Sequence, residues 1–174
     1  WSGQRDLRAV LSRLASGTTP VDDEHVYVDA RAALGQWPQR LLDGDERSAE
    51  PGFVLVSDAR LDNRDELHDR LGGEREESAT PGDAELILAA YCKWGPRCPE
   101  QLVGDFAFVL WDARNALLLA ARDGMNMRTL CYARTPGGLC LASQAQQLLQ
   151  HPDITPRVDE RALAGWISGR PDPR

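Results

Sequence analysis

The sequence predicts an α+β fold in which antiparallel, hairpin-rich sheets carry helices on their outer sides. Three observations point there. Residues 106–122 contain two apolar runs joined at Asp112-Ala113-Arg114-Asn115, a hairpin by composition. The first run is apolar on both faces: Phe106, Phe108 and Leu110 alternate with Ala107, Val109 and Trp111. Such a strand must be covered on both sides, so the fold is layered. Residues 82–95 ("GDAELILAAYCKWG") supply a helix to do the covering, with Leu86, Ala89, Ala90 and Trp94 available for one buried face.

The remaining elements follow in order. Residues 6–16 place Leu7, Val10, Leu11 and Leu14 at i, i+3, i+4 and i+7, the apolar stripe of an amphipathic helix. "GTTPVDD" breaks it, and "HVYVDARAAL" suggests two short strands or a hairpin. Residues 35–52 are rich in Pro, Gly, Asp and Glu and read as a long loop. A strand over residues 53–56 stops at the polar cluster Ser57-Asp58-Ala59-Arg60, and a short helix follows around residues 63–71. "GGEREESATPG" is a charged surface loop. Asp83 and Glu85 then fall in the first turn of the next helix, where acidic side chains suit the macrodipole, and Gly95-Pro96 end it. "TLCYARTPGGLCLAS" is a second hairpin turning at residues 135–138, and residues 144–150 and 160–167 are terminal helices.

Bulk properties bound the function. A chain of 174 residues fits one domain, 1–174, with its own core. Its net charge of -7 argues against a nucleic-acid partner, whose electrostatic footprint on the protein would be basic. No apolar run approaches the ~18 residues of a membrane span, and no signal peptide is visible. Cys92, Cys98, Cys131 and Cys140 form no CxxC pair, and His25, His68 and His151 are not near them in sequence, so a zinc site is not expected. Free thiols fit a reducing cytoplasm. The chain opens on Trp1 and closes on the turn-like "RPDPR", and it reads as part of something longer.

Five segments then meet a known pattern. "GDFAFVLWDARNALLLAARDGMNMRTLCYA" resembles the Gly-x-Phe-Ala-Phe strand, Trp/Tyr-Asp hairpin and Ala-Arg-Asp stretch of class II glutamine amidotransferase domains. "GGLCLASQAQQLLQHPDI" resembles their Phe-Ala-Ser-Glu-x-x-x-Leu-Leu segment, with Gln144 for the Glu. "TPGDAELILAAYCKWG" resembles their Ser-Asp-Thr-Glu helix start, and "VSDARLDNRDEL" sits where they carry Asn-Gly-Glu-Ile-Tyr-Asn. "DERALAGWISGRPDP" resembles the helix that leads into their synthetase half. The nearest likeness is to asparagine synthetase and its ATP-dependent relatives, including those that close β-lactams or lasso-peptide rings. The match spans roughly residues 53–173 and is weak over 1–52. It implies a four-layer αββα sandwich of two mainly antiparallel sheets, of the N-terminal-nucleophile type.

The implied chemistry is a glutaminase whose N-terminal Cys uses its own α-amine as base. Trp1 cannot serve, and the four internal cysteines have no α-amine; a Cys upstream of residue 1 stays open. Where the family grips the glutamine α-carboxylate with Arg, this chain reads Leu34-Gly35-Gln36-Trp37-Pro38-Gln39, and Arg40 is the nearest guanidinium. The Asn-Gly of the oxyanion hole is Asp58-Ala59; an ionised Asp accepts hydrogen bonds and repels an oxyanion. The family's Arg-Gly-Pro-Asp loop is reduced to Thr18-Thr19-Pro20-Val21-Asp22. Asp83 keeps its place, where the family binds the glutamine α-amine.

The resemblance therefore implies no catalytic residue here and a vestigial glutamine pocket of Asp58, Ala59, Arg60 and Asp83. Each polar member also has a plain structural role: Asp83 as a helix-cap residue, Asp58 as a turn-forming carboxylate. Asp62 and Asn63 suit capping, and Asp105 and Asp123 suit strand-end and loop positions. The expected function is a degenerate amidotransferase-like domain, in a structural or docking role, of an ATP-dependent amide-forming enzyme. ATP and Mg²⁺ would bind a downstream synthetase domain, and the acceptor would be a precursor peptide or small amino-acid-like substrate. Two other readings stay open: a working glutaminase domain of asparagine synthetase, and a stand-alone binding module. If the pocket forms, Asp58 and Asp83 face one cleft stripped of its Arg, receptive to an amine or cation unless Arg60 or Arg40 turns inward.

Overall fold

A computed structural model describes residues 7–15, 26–36, 49–50, 52–72 and 81–169. Its centre is a four-stranded antiparallel sheet in the order β3-β4-β5-β6, formed by Ala49–Glu50, Phe53–Leu61, Gly104–Asp112 and Leu117–Arg122. The β4–β5 ladder is the longest, running from Phe53 opposite Asp112 to Leu61 opposite Gly104. Strand side chains alternate between faces, and that register sorts the core into two halves.

On one face Leu55, Ala59, Leu61, Phe106, Phe108 and Leu110 pack beneath α2 (Arg64–Leu71) and α3 (Asp83–Trp94), with a 3-10 turn at Gly95–Gln101. Leu67, Ile87, Ala90 and Cys98 are fully buried there. Burial pushes the Cys98 thiol up to about 12, so it behaves as a small apolar side chain rather than a nucleophile. On the other face Val54, Val109 and Trp111 pack against Leu34, Tyr27, Leu130 and Leu141. These come from a second β layer of two hairpins, β1–β2 (Val26–Val28, Ala33–Gly35) and β7–β8 (Cys131–Thr135, Gly138–Ala142), and from the loop before β7. Outside that layer lie α1 (Leu7–Leu14), beside β2, and α4 (Ala145–Leu148), beside β7 and β8; the two helices also touch each other. The order helix, sheet, hairpins, helix is the expected αββα layering. α5 (Glu160–Ile167) follows.

Three polar anchors fix these layers. Asp29 ties the β1–β2 turn to the sheet: its Oδ1 accepts from the Arg31 and Ala32 N–H, and its Oδ2 from Tyr27 and from Trp111 Nε1 at 2.7 Å. Burial opposes the Asp29 charge, but these donors outweigh it and hold its pKa below the usual aspartate value. Trp111→Phe keeps most of the packing and removes one charge-assisted bond. The expected loss is about 1.5 kcal/mol in a urea titration. Asp112 plays the same part at the β5–β6 turn. The third anchor is Asn63, expected as a helix cap. It stands at the N-cap position of α2, yet its side chain bonds Gln101 O and Val103 N–H instead, tying α2 to the approach to β5.

The strand expected over residues 53–56 is longer than its apolar run. β4 continues through Ser57-Asp58-Ala59-Arg60 to Leu61. Ser57, Ala59 and Leu61 point into the helix-side core, which leaves the polar Asp58 and Arg60 on the opposite face. A half-buried strand with polar alternate positions imitates a turn in composition.

Candidate functional site

The strand pleat decides where the four expected pocket residues go. Asp58 lies on the face of β4 that meets the second β layer. Its side chain is 47% exposed, and Arg128 Nη1 stands 3.3 Å from Oδ1 and 3.5 Å from Oδ2. Ala59 is 4% exposed, and its methyl belongs to the core under α3, away from the Asp58 side. Arg60 is on the Asp58 face but turns to solvent, where Nη2 meets Asp62 Oδ1 at 3.1 Å. Asp83 opens α3 on the helix side and is paired with Arg64, which also donates to Pro81 O. The α3 cap comes from Glu85, whose Oε2 accepts the Gly82 N–H at 2.8 Å, so Asp83 is an ion-pair partner rather than a cap.

Among the described residues the arginine that meets Asp58 is Arg128, not Arg60. Arg60 is engaged with Asp62, and Arg40 lies outside the described residues, as do Trp37, Pro38, Gln39 and residues 18–22. Arg128 neutralises Asp58 and Arg64 neutralises Asp83.

Arg128 is delivered by a built loop. Asp123, 6% exposed, donates its N–H to Phe106 O at 2.8 Å and so fixes the loop to β5. Its carboxylate accepts the N–H groups of Met127 and Arg128 at 2.9 and 3.0 Å, and those two bonds hold its pKa below the ordinary value. Asn126 takes the left-handed conformation at φ 57° and closes the turn, with Arg122 bonded to its side chain. Among the described residues Arg128 Nε is buried and has no hydrogen-bond partner.

Gln36, in the stretch 34–39, hydrogen-bonds β4 through its side chain. Its Nε2 donates to Ser57 O at 3.0 Å and its Oε1 accepts Ser57 N–H at 3.1 Å. The amide is spent on the backbone next to Asp58. Chemically, the Asp58 face offers an ion pair and an amide engaged with the backbone, and Asp58 itself presents a carboxylate, an acceptor, where a developing oxyanion would need a donor. Among the described residues no cluster of His, Cys, Asp or Glu could hold a metal ion, and no helix is long and apolar enough to cross a membrane.

Arg128 and Asp29 escaped the sequence reading, and Gln36 was named there without its contact to Ser57. The only local signal for Arg128 was Asp123 before "GMNMR", a loop-anchoring acid followed by a basic residue; its partner is 70 positions away.

Comparison with known proteins gives these features a setting. An asparagine synthetase (glutamine-hydrolyzing) of Bacillus subtilis is 30% identical over 112 residues, covering 64% of this chain and 18% of its own length. A putative asparagine synthetase (glutamine-hydrolyzing) of Mycobacterium tuberculosis is 37% identical over 115 residues, with the same coverages of 64% and 18%. The chain therefore matches less than a fifth of the length of these relatives. The solved glutamine phosphoribosylpyrophosphate amidotransferase of B. subtilis superposes on 59% of this chain and 24% of its own, with 19% identity and a TM-score of 0.46. The family described as a glutamine amidotransferase domain matches residues 3–173, nearly the whole chain. This protein, related to the asparagine synthetases, belongs to the glutamine amidotransferase domain family.

Proposed function

We propose that this domain does not hydrolyse glutamine and serves as the structural, docking half of an ATP-dependent amide-forming enzyme. The observation that carries the reading is the Asp58–Arg128 ion pair. By resemblance, position 58 should present an amide that donates to an oxyanion. Here it presents a carboxylate, already bound to an arginine held in place by Asp123. Losing one oxyanion donor costs about 10²–10³ in rate, and a negative charge in its place costs more. An enzyme whose acceptor carries its own amine needs no ammonia. Ring closure in a precursor peptide or a small amino-acid-like substrate is such a reaction, as in the β-lactam- and lasso-forming relatives. ATP and Mg²⁺ would then act in a downstream synthetase domain.

The test is direct. Protein with its natural N-terminus is incubated with glutamine, and ammonia and glutamate are measured. The expected result is no release above background, for the wild type and for Asp58→Asn alike. Steady turnover of glutamine by the wild type would overturn the reading in favour of a working glutaminase.

Calorimetry supplies a second arm. Asp58 keeps Arg128 from other anions, so free glutamate should bind more weakly than micromolar. Asp58→Asn should strengthen glutamate binding about tenfold by releasing the guanidinium. Micromolar binding that ignores Asp58→Asn would show that this pair does not govern the site.

A further inference from the structure

Charge is unevenly laid out along this chain. It carries 27 acidic residues against 20 lysines and arginines, yet none of the acids falls between Asp123 and Asp153. That stretch holds the loop to β7, the β7–β8 hairpin and α4. Arg128 within it is engaged by Asp58, whereas Arg134 is exposed and has no acidic partner among the described residues. The same surface is apolar. Met125 and Met127 on the loop are 83% and 62% exposed, Tyr132 on β7 is 69% exposed and Leu139 on β8 48%. The register gathers the last two around Arg134. Tyr132 and Arg134 stand two apart on β7 and so share a face, and Leu139 is the cross-strand partner of Arg134. β7 pairs with β8 alone, so among the described residues its other flank has no strand beside it. Alternate residues of β7 turn their N–H and C=O groups to that flank.

We propose that β7 is a docking edge for an extended peptide of another protein, one that carries an acidic side chain two residues from a large apolar one. A strand laid along β7 alternates its side chains with the same period as β7 itself. One of its faces would set the acid beside Arg134 and the apolar side chain beside Tyr132. Charge selects this occupant. The Arg134 guanidinium has no acid of its own, and a chain of net charge -7 repels an acidic segment less at its acid-free stretch than elsewhere. A second copy laid along β7 offers no acid, since the strand reads "CYART". The proposal is independent of whether the domain hydrolyses glutamine.

The test uses the protein with its natural termini and short fluorescein-labelled peptides. These alternate valine with threonine around one phenylalanine and one glutamate two residues from it. Fluorescence anisotropy is expected to show binding, weakened roughly tenfold when lysine replaces the glutamate, and Arg134→Glu should reverse that preference. A proline in the middle of the peptide removes a ladder N–H and should abolish binding. Amide hydrogen exchange should slow at residues 131–135 when the peptide is added and stay unchanged in α3. No binding, equal binding of the glutamate and lysine peptides by the wild type, or a preference that survives Arg134→Glu would each overturn the proposal. So would full protection of residues 131–135 in the peptide-free protein, or a dimer whose interface excludes the peptide. In those cases the flank of β7 already belongs to another part of this chain or to a second copy.

Discussion

Gly104→Ala is expected to destabilise the domain by about 3 kcal/mol or more, from backbone strain and overpacking together. Gly104 starts β5 at φ +140°, a conformation that side-chain-bearing residues rarely adopt. A Cβ there would run into Arg60 O and would stand 2.9 Å from Leu61 Cα and 3.0 Å from Asp62 N. These are backbone atoms at the end of β4 and of the residue after it, in a ladder that ends at this contact, and Asp62 N–H is held by Val103 O at 2.8 Å. Neither side can give. Gly72 is the control: its φ is +80°, but open space surrounds it, so Gly72→Ala should lose only about 1 kcal/mol. Urea midpoints measured at unchanged m-value decide. Equal losses for the two variants would show that the close approach of β5 to β4 is not what Gly104 serves.

Asp112→Ala carries the other large effect, about 3–4 kcal/mol, because it strands several donors at once. Asp112 is 1% exposed. It accepts from Tyr91 Oη at 2.9 Å, from the Arg114 and Asn115 N–H at 3.0 Å, and from Asn115 Nδ2 at 2.7 Å. Burial disfavours the charge, but the donors win and its pKa lies below the usual aspartate value. The Tyr91 hydroxyl is pushed up to about 12, by burial first and by the Asp112 bond second. The pH consequence follows from the sign. A carboxylate with a depressed folded pKa stabilises fully above its unfolded pKa, and that contribution is lost as pH falls through the folded value. Wild type should therefore weaken below about pH 4, the unfolded aspartate range, and Asp112→Ala should lose part of that acid sensitivity. Tyr91→Phe removes one donor of four and should lose about 1 kcal/mol. An Asp112→Ala variant no weaker than Tyr91→Phe would remove Asp112 as the organiser of the turn.

What could be read in advance was whatever a local period records. Phe106, Phe108 and Leu110 against Ala107, Val109 and Trp111 announced a strand covered on both sides; the first three lie in one core, Val109 and Trp111 in the other, and Ala107 is buried as well. The two hairpin turns were legible from composition, but the α3 face only in part: of Leu86, Ala89, Ala90 and Trp94, Leu86 and Ala90 are buried, and Ala84, Ile87, Leu88 and Tyr91 join them. β4 was half legible, because its second half keeps the period only through Ser57, Ala59 and Leu61, with Asp58 and Arg60 between them. The site was less legible still. Asp58 and Ala59 could be picked out as pocket positions only by resemblance. The partners that decide its electrostatics could not: Arg128 meets Asp58 across 70 positions and Gln36 meets Ser57 across 21. Distant side-chain pairs leave no periodic trace.

The Gln36–Ser57 contact bears on how copies of this protein meet one another. β3 covers β4 only at Phe53 and Val54, so among the described residues the flank of β4 beyond them has no neighbouring strand. A bare flank of donors and acceptors is a template on which a second chain can add a strand and begin to aggregate. At Ser57, the middle residue of β4, one glutamine amide supplies both the acceptor and the donor that an incoming strand would bring. It acts as a strand one residue long. An intruding chain would first have to displace that amide.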